Sequence, residues 1–447
     1  MSKVKSAFFC QNCGHQAPKW LGKCPACQSW NTLVEEVLKK ENTPLAQVAL
    51  QAKVLQDIAL CALERKILKD KELNRVLGGG VVDGSLMLLG GEPGIGKSTL
   101  LLQMLLENNQ YSALYVSGEE SAEQIKMRAD RLGLKNDKVW ILAETNTEQI
   151  IAQAHSLQAD FLVIDSVQTL QSPSIDAPSG SVSQIRTATA EIMDYAKKHH
   201  VPVFLVGHIT KEGTLAGPKL LEHIVDVVLQ FEGDRNHLYR VLRVQKNRFG
   251  STQEIGIYEM QGTGLRPIDN PSELLVNQYD TGLSGVAIAS TIEGARPLLV
   301  EVQALVSSSV YGTPQRSCTG FDVRRLNMLL AVLEKRCQFK LAQKDVFVNI
   351  AGGIRVDDPA IDLAVVSAIL SSNMDIALAK HLCFAAEIGL TGEIRPIPRL
   401  ENRIAQAQQL GYEQIVVSSH HALDTKKYQI EIVALSKIGD LFSFLFA

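Results

Sequence analysis

Gly91-Glu92-Pro93-Gly94-Ile95-Gly96-Lys97-Ser98 fits the pattern G-x-x-x-x-G-K-[ST] in full. An apolar run, Ser85–Leu89, precedes it, and a second, STLLLQMLL (98–106), follows. That strand–loop–helix setting separates a phosphate-binding loop from a chance match in a glycine-rich turn. Gly91, Gly94 and Gly96 let backbone N–H groups turn inward around phosphate oxygens. Lys97 is placed to reach the β- and γ-phosphates, and the Ser98 hydroxyl to ligate Mg²⁺. Gly91, Glu92, Pro93, Gly94, Ile95, Gly96, Lys97, Ser98 and Thr99 are therefore the expected ATP and Mg²⁺ site.

Such a loop needs a carboxylate at the end of a neighbouring strand. Phe161-Leu-Val-Ile-Asp165 offers four apolar residues and then Asp165, suited to orient magnesium through water. Because Ser166 follows, a plain helix cap is the other reading of that aspartate. Hydrolysis also needs a group that orients the attacking water. Tyr115-Val-Ser-Gly-Glu119-Glu120 ends another apolar run in two acids. Glu119 is the favoured candidate, leaving Glu120 to be solvated or to start the next helix.

Outward from these motifs, residues 71–272 alternate apolar strand-like runs (Ala113–Val116, Phe161–Ile164, Val203–Val206) with helical patterns such as Thr99–Glu107 and Ala122–Leu132. Continuous apolar runs indicate strands buried on both faces of a parallel sheet, an α/β core. Leu238–Val244 and Gln253–Met260 alternate around Gly250 and read as antiparallel additions. Residues 36–70, without glycine and rich in Glu, Lys, Gln, Leu and Ala, read as a linker of helical character. Turn residues in Pro267–Gly285 precede a mixture of strands and helices over 285–447, read as a separate α+β domain.

The chain has 447 residues, 46% apolar and 21% charged, with a net charge of −3, so its surface is not coated in positive charge. A local basic groove would still suffice for nucleic acid. The start, MSKVKSAFFCQNCG, lacks the apolar core of a signal peptide, and no apolar stretch is long enough to span a bilayer. A cytoplasmic protein without a membrane association is expected.

Four of the eight cysteines lie in the first 27 residues, as Cys10-x2-Cys13 and Cys24-x2-Cys27. Each pair can grip one ion from a tight turn, and two pairs complete a tetrahedral four-thiolate Zn²⁺ site within residues 1–35. A redox pair belongs in a βαβ setting that is missing here, and so short a module needs metal to fold.

RVLGGGVVDGSLMLLGGEPGIGKSTL (75–100) resembles the opening of the RecA/DnaB-type ATPase core. Together with the four cysteines, YVSGEES (115–121), GHITKEG (207–213) and Lys246-Asn-Arg-Phe-Gly250, the chain resembles the bacterial RadA/Sms family along essentially its whole length. The resemblance implies a RecA-like P-loop ATPase that forms a ring, a hexamer, and binds single-stranded and branched DNA. It implies branch migration in homologous recombination and DNA repair, with recombinase RecA as a possible partner. It also gives Lys246 and Arg248 the role of basic residues that complete hydrolysis. Composition alone would read that pentapeptide as a solvated hairpin tip, although a guanidinium held there could stabilise charge on a transferring phosphoryl group.

For DNA contact, Gln171–Arg186 and Lys211–Lys219 are polar, rich in glycine and proline, and carry Arg186, Lys211 and Lys219. Neither holds an aromatic residue, so backbone tracking is expected rather than base readout. From about 285 the chain resembles the Lon-protease domain, in VNIAGGIRVDDPAIDLAVVSAIL (348–370) and LTGEIRPIPRLENRIAQAQQLG (390–411). Ala360 stands at the serine position and Arg403 at the lysine position, which removes both nucleophile and base. A platform for assembly and DNA is then expected, with Arg316, Arg324, Arg325, Arg355, Arg395, Arg399 and Arg403 facing phosphates or paired with local acids. The competing function is a RecA-fold nucleotide switch or kinase-like regulator without motor activity, which DNA-stimulated hydrolysis would separate from a motor.

Overall fold

The computed structural model describes residues 5–10, 15–38, 65–207, 220–233, 239–276, 282–309, 314–421 and 423–446. They form two compact units, Met1–Asp269 and Asn270–Ala447.

The first unit opens with strands β1 (Lys5–Cys10), β2 (Gln16–Ala17) and β3 (Leu33–Leu38). Short β4 (Arg65–Lys66) pairs with β5 (Val81–Val82) across helix α1 (Lys71–Val76). The expected helical linker is therefore strand at both of its described ends. Leu33–Leu38 pairs along its whole length with Lys5–Cys10, and this pairing outweighs a composition favourable to helix.

The core follows as β6 (Leu86–Gly91), α2 (Lys97–Glu107), β7 (Ala113–Ser117), α3 (Ala122–Leu132), β8 (Val139–Ala143), α4 (Thr147–Ser156), β9 (Phe161–Asp165), β10 (Ile175–Asp176), α5 (Val182–His199), β11 (Val203–Val206), α6 (Leu220–Ile224), β12 (Val227–Glu232), β13 (Tyr239–Asn247), β14 (Ile255–Gln261) and β15 (Gly264–Pro267). The central sheet runs β15-β14-β13-β12-β6-β11-β9-β7-β8, parallel from β12 to β8 and antiparallel beyond β12. Side chains alternate across each strand, so Met87, Leu89, Val163 and Phe204 pack with Leu101 and Leu105 of α2 on one face. Leu86, Leu88, Leu162 and Leu205 pack with Ile150 of α4 and Ile192 of α5 on the other. Helix α3 begins at a capping box between Ser121 and Gln124 and ends at Gly133 (φ 68°), and its span is the helical pattern expected over Ala122–Leu132.

Register sets which groups share an edge. Leu89 pairs with Val206, Val206 with Asp165, and Asp165 with Ser117, in one row across the C-terminal edge of the parallel strands. Strand β13 runs the other way, so its end, Lys246 and Asn247, pairs with Val228 and Val227 at the opposite edge.

In the second unit, after α7 (Ser272–Leu275), strands β16 (Val286–Glu293), β17 (Arg296–Ser308), β18 (Arg316–Thr319), β19 (Lys344–Ile350), β20 (Leu382–Ala385), the β21 (Glu387–Ile388) and β22 (Ile394–Arg395) hairpin, β23 (Gln414–Ser418) and β24 (Glu431–Leu435) interleave with α8 (Val323–Cys337), α9 (Asp362–Met374), α10 (Leu400–Gln409) and α11 (Ile438–Phe446). Its main sheet, β18-β19-β17-β16-β20-β23-β24, is mixed. Helix α9 is buried from Asp362 to Ser371, all but its last turn, which accounts for its near-continuous apolar sequence.

Candidate functional site

Strand β6 delivers the phosphate-binding loop, where Gly94 (φ +79°) and Gly96 (φ +117°) take left-handed backbone. A Cβ on Gly96 would stand 2.8 Å from Met260 Cε, the movable end of a flexible side chain, so it is the left-handed backbone that calls for glycine there. Gly96 brings no side chain to cap α2, which leaves the first-turn N–H groups facing the loop. Ser98 and Thr99 sit in that first turn, half-buried. Lys97 is buried, and its ammonium donates to the carbonyl oxygens of Gly91 (2.8 Å) and Glu92 (2.9 Å). It thereby folds over the hollow of its own loop. Burial pushes the Lys97 pKa down, while the charges of Asp165 and Glu119 work to hold its proton.

Asp165 ends β9 two strands from β6, and the Tyr115 hydroxyl donates to its Oδ2 at 2.7 Å. Tyr115 is fully buried, and burial together with the neighbouring carboxylate raises its pKa well above the usual phenol range, so it stays a donor. Ser166 is fully buried, and its hydroxyl does not cap the helical turn after it; it donates to Glu119 Oε1 at 2.6 Å. Glu120 is engaged instead by Arg128, one turn into α3 and beyond. The two adjacent acids are thus separated: Glu119 faces the Asp165 strand end, and Glu120 is tied to a helix. Gly118 between β7 and Glu119 is required, since a Cβ there would overlap Thr169 Oγ1 at 2.1 Å. Lys97, Glu119 and Asp165 gather at one sheet edge, and the sequence signal for Tyr115 and Ser166 was only their adjacency to these motifs.

Lys246 and Arg248 lie elsewhere. The Lys246 ammonium donates to the carbonyls of Glu222 (2.6 Å) and Val225 (2.7 Å) at the end of α6. Arg248 Nη1 stands 3.6 Å from Asp226, with 57% of its side chain exposed. Asp226 also accepts from Lys197 (2.6 Å) and from the Leu86 backbone at the start of β6 (3.1 Å). The pentapeptide is an ordered turn: Phe249 N–H donates to Asn247 Oδ1 at 2.8 Å, and Gly250 is packed so closely on Gly78 that a Cβ would meet its Cα at 3.0 Å.

Among the described residues, the sulfurs of Cys10, Cys24 and Cys27 lie within 4.8 Å of one another, with Cys10 Sγ 3.6 Å from Cys27 Sγ. Cys10 and Cys24 are buried in a small core with Ala17 and Leu33. Thiols that converge this closely suit a thiophilic ion. Cys13, the fourth expected ligand, lies outside the described residues, as do Lys211 and Lys219.

Arg186 is exposed but stands on α5, not in a loop. Ser181 accepts from Gln184 N–H and starts the helix at Val182, and the Gln184 side chain bonds back to Ser172 and Ala177. In the second unit, Ala360 is fully buried, and Arg403, also buried, pairs with Asp358 at 2.8 Å and donates to the Ser290 carbonyl at 2.8 Å. Arg325 pairs with Asp362, Arg355 with Asp357 and Arg395 with Glu393. For these four arginines, pairing with local acids is what the structure shows. No helix among the described residues is long and apolar enough to cross a membrane.

Three family models match the chain: a rubredoxin metal binding domain over residues 8–35, an AAA domain over 63–214, and subunit ChlI of Mg-chelatase over 302–421. A KaiC-like protein from Pyrococcus horikoshii OT3 aligns at 18% identity and a TM-score of 0.38, covering 46% of this chain and 99% of that one. DNA repair protein RadA of Bacillus subtilis is 47% identical over 98% of both chains. Its counterparts are 48% identical over 100% of both chains in Streptococcus pyogenes and 44% identical over 98% of both in Listeria monocytogenes. With a phosphate-binding loop, its partner acids and a cysteine cluster in place on a RecA-type sheet, and with identity sustained from end to end, the chain is an ATP-hydrolysing enzyme that belongs to the RadA family of DNA repair proteins.

Proposed function

We propose that this chain is a DNA-dependent ATPase that acts as a motor on single-stranded and branched DNA during recombination. The observation that carries the reading is the separation of the two acids, with Ser166 holding Glu119 toward the edge where Lys97 and Asp165 stand. In this reading Lys97 releases the Gly91 and Glu92 carbonyls to take the β- and γ-phosphates, whose charge favours its protonated form. Ser98 and Asp165 would hold Mg²⁺, which supplies charge neutralisation for the transferring phosphoryl group. Glu119 orients the attacking water and takes its proton, while Tyr115 fixes Asp165 by donating to it.

Cys10, Cys13, Cys24 and Cys27 would hold Zn²⁺ as a structural ion, closing a module too small to fold on its own core. Lys246 and Arg248 serve a neighbouring subunit in a ring, a hexamer, and recombinase RecA is the proposed protein partner. Arg186, Lys211 and Lys219 are proposed DNA contacts. The test is the ATPase rate with and without single-stranded DNA. Stimulation by DNA is expected; a rate that DNA leaves unchanged would move the chain to the nucleotide-switch class.

A further inference from the structure

Residues 1–34 contain no aspartate or glutamate, yet carry Lys3, Lys5, Lys19 and Lys23. The whole chain stands at −3, and the first acids after this stretch are Glu35 and Glu36, on β3. Two of the chain's three tryptophans are here, Trp20 at 54% and Trp30 at 69% exposure. They are not scattered. Lys23 and Trp30 face each other across a β-bridge, and Asn31 N–H donates to the Gly22 carbonyl at 2.8 Å. Gly22 lies against both rings: a Cβ there would come within 3.6 Å of Trp20 and 3.8 Å of Trp30. The Lys23 ammonium is 5.7 Å from the Trp30 ring centroid, and exposed Lys19 precedes Trp20. Two indoles therefore flank one glycine, with a lysine beside each.

Flat exposed rings interleaved with cations match the chemistry of a single strand, whose bases stack while its phosphates seek positive charge. The centre of a protein-binding patch is instead depleted of lysine. The head is also joined to the core: the end of β3 pairs with β10, Val37 with Asp176 and Leu38 with Ile175, inside the 171–186 segment. The geometry points to a single-strand nucleic-acid site on the cysteine-rich head, in which Trp20 and Trp30 stack bases and Lys19 and Lys23 hold the phosphates between them. The choice of ligand rests on the DNA-dependent reading above. The phosphate-binding loop and the acids around it take no part.

The test uses the full chain carrying Trp140→Phe, so that Trp20 and Trp30 are the remaining indoles. Oligo(dT) added without nucleotide is expected to quench their fluorescence saturably. Trp20→Ala and Trp30→Ala should each weaken oligo(dT) binding roughly tenfold, read by anisotropy. Lys19→Gln and Lys23→Gln should each flatten the slope of log affinity against log salt by about 0.7. Metal content and DNA-free ATPase rate should stay at the parent level in all four. If alanine costs the head its metal, Trp20→Phe and Trp30→Phe keep a ring and should bind between parent and alanine levels. Equal quenching by oligo(U) supports the site and extends its ligand to RNA. Parent-level oligo(dT) binding by the double alanine variant, with no quenching in the parent, overturns the site and leaves the motor reading intact. Loss of binding only to a protein partner also overturns it. A parent that neither binds oligo(dT) nor is stimulated by it removes the underlying reading, and this site with it.

Discussion

The Ser166 hydroxyl donates a 2.6 Å hydrogen bond to the Glu119 carboxylate, across the gap between two neighbouring parallel strands. Glu119→Gln should bind ATP yet turn over at least about 100-fold more slowly, because an amide cannot take the water's proton. Ser166→Ala should lower kcat by roughly tenfold with KM for ATP little changed, since it frees the carboxylate's aim without removing it. Glu120→Gln should stay near the parent rate, because Glu120 is spent on Arg128. Steady-state ATPase assays with single-stranded DNA check all three, and a larger loss in Glu120→Gln than in Glu119→Gln would reverse the assignment.

Lys97→Ala should abolish hydrolysis and weaken nucleotide binding together. The ammonium now on the Gly91 and Glu92 carbonyls is the charge that triphosphate would recruit. Binding of a fluorescent ATP analogue, read beside turnover, is the measurement, and undiminished turnover would be the contrary result.

The head should carry about one zinc per chain, as a single four-thiolate site requires. Cys24→Ser should release it, because Cys24 is buried in the centre of the small core that the metal holds. Elemental analysis decides this, and metal-free protein with Cys10, Cys13, Cys24 and Cys27 in disulfides would contradict it.

The second unit should show no peptidase activity, and its Arg403 should matter for stability instead. Burial works against the Asp358 charge, but Arg403 beside it outweighs that and holds the carboxyl below its usual range. A depressed carboxyl stabilises the fold above its unfolded pKa and loses that contribution as pH falls, so unfolding should become easier below about pH 4. Arg403→Ala should destabilise this unit by about 2–4 kcal/mol, because the mostly buried Asp358 loses its ion-pair partner and keeps only the hydrogen bonds from Thr291, Ile292 and Ala360. Denaturant unfolding across pH is the check, and an unchanged unfolding midpoint in Arg403→Ala would refute the structural role.

Much of the site could be read before the fold was known, because local sequence carries it. Phe161–Asp165 announces a buried strand ending in a charge, and Gly91–Ser98 needs no tertiary context beyond its flanks. What escaped was whatever depends on the register between strands. Ser166 reaches Glu119 because β7 and β9 are neighbours, and nothing in either segment states that they are. Residues 36–38, the second half of β3, read as linker because their partners, Lys5–Cys10 and Ile175–Asp176, are distant or short. Arg186 was placed in a loop because Ser181, a cap, was not weighed against the polar run around it. Among the paired arginines of the second unit, Arg325 meets an acid 37 positions on, whereas Arg355 and Arg395 take acids two residues away, the local pairing that sequence already offers.

The longest inference from register concerns Lys97 and Arg248. Gly91, at the mouth of the phosphate-binding loop, pairs with Phe231 at one end of β12, whereas Arg248 N–H donates to the Asp226 carbonyl before the other end. The five strand steps from Leu86 to Gly91 span about 16 Å, more than an arginine side chain can bridge. Arg248 therefore cannot serve the phosphates bound by its own Lys97. If it acts in hydrolysis it must act on a neighbour, and every active site is then shared between two subunits. Lys97→Ala and Arg248→Ala proteins, each inactive alone, should regain partial activity when mixed under conditions of subunit exchange. Some interfaces will then join an intact Lys97 to an intact Arg248. Arg248→Lys should remain poor, because lysine lacks the planar fork that can grip two phosphate oxygens. The ATPase rate is measured against mixing ratio, with exchange demonstrated separately by mass tagging of the two proteins. A flat, inactive profile from proven mixed rings would mean that Arg248 contacts DNA or holds its own fold through Asp226, and takes no part in a neighbour's chemistry.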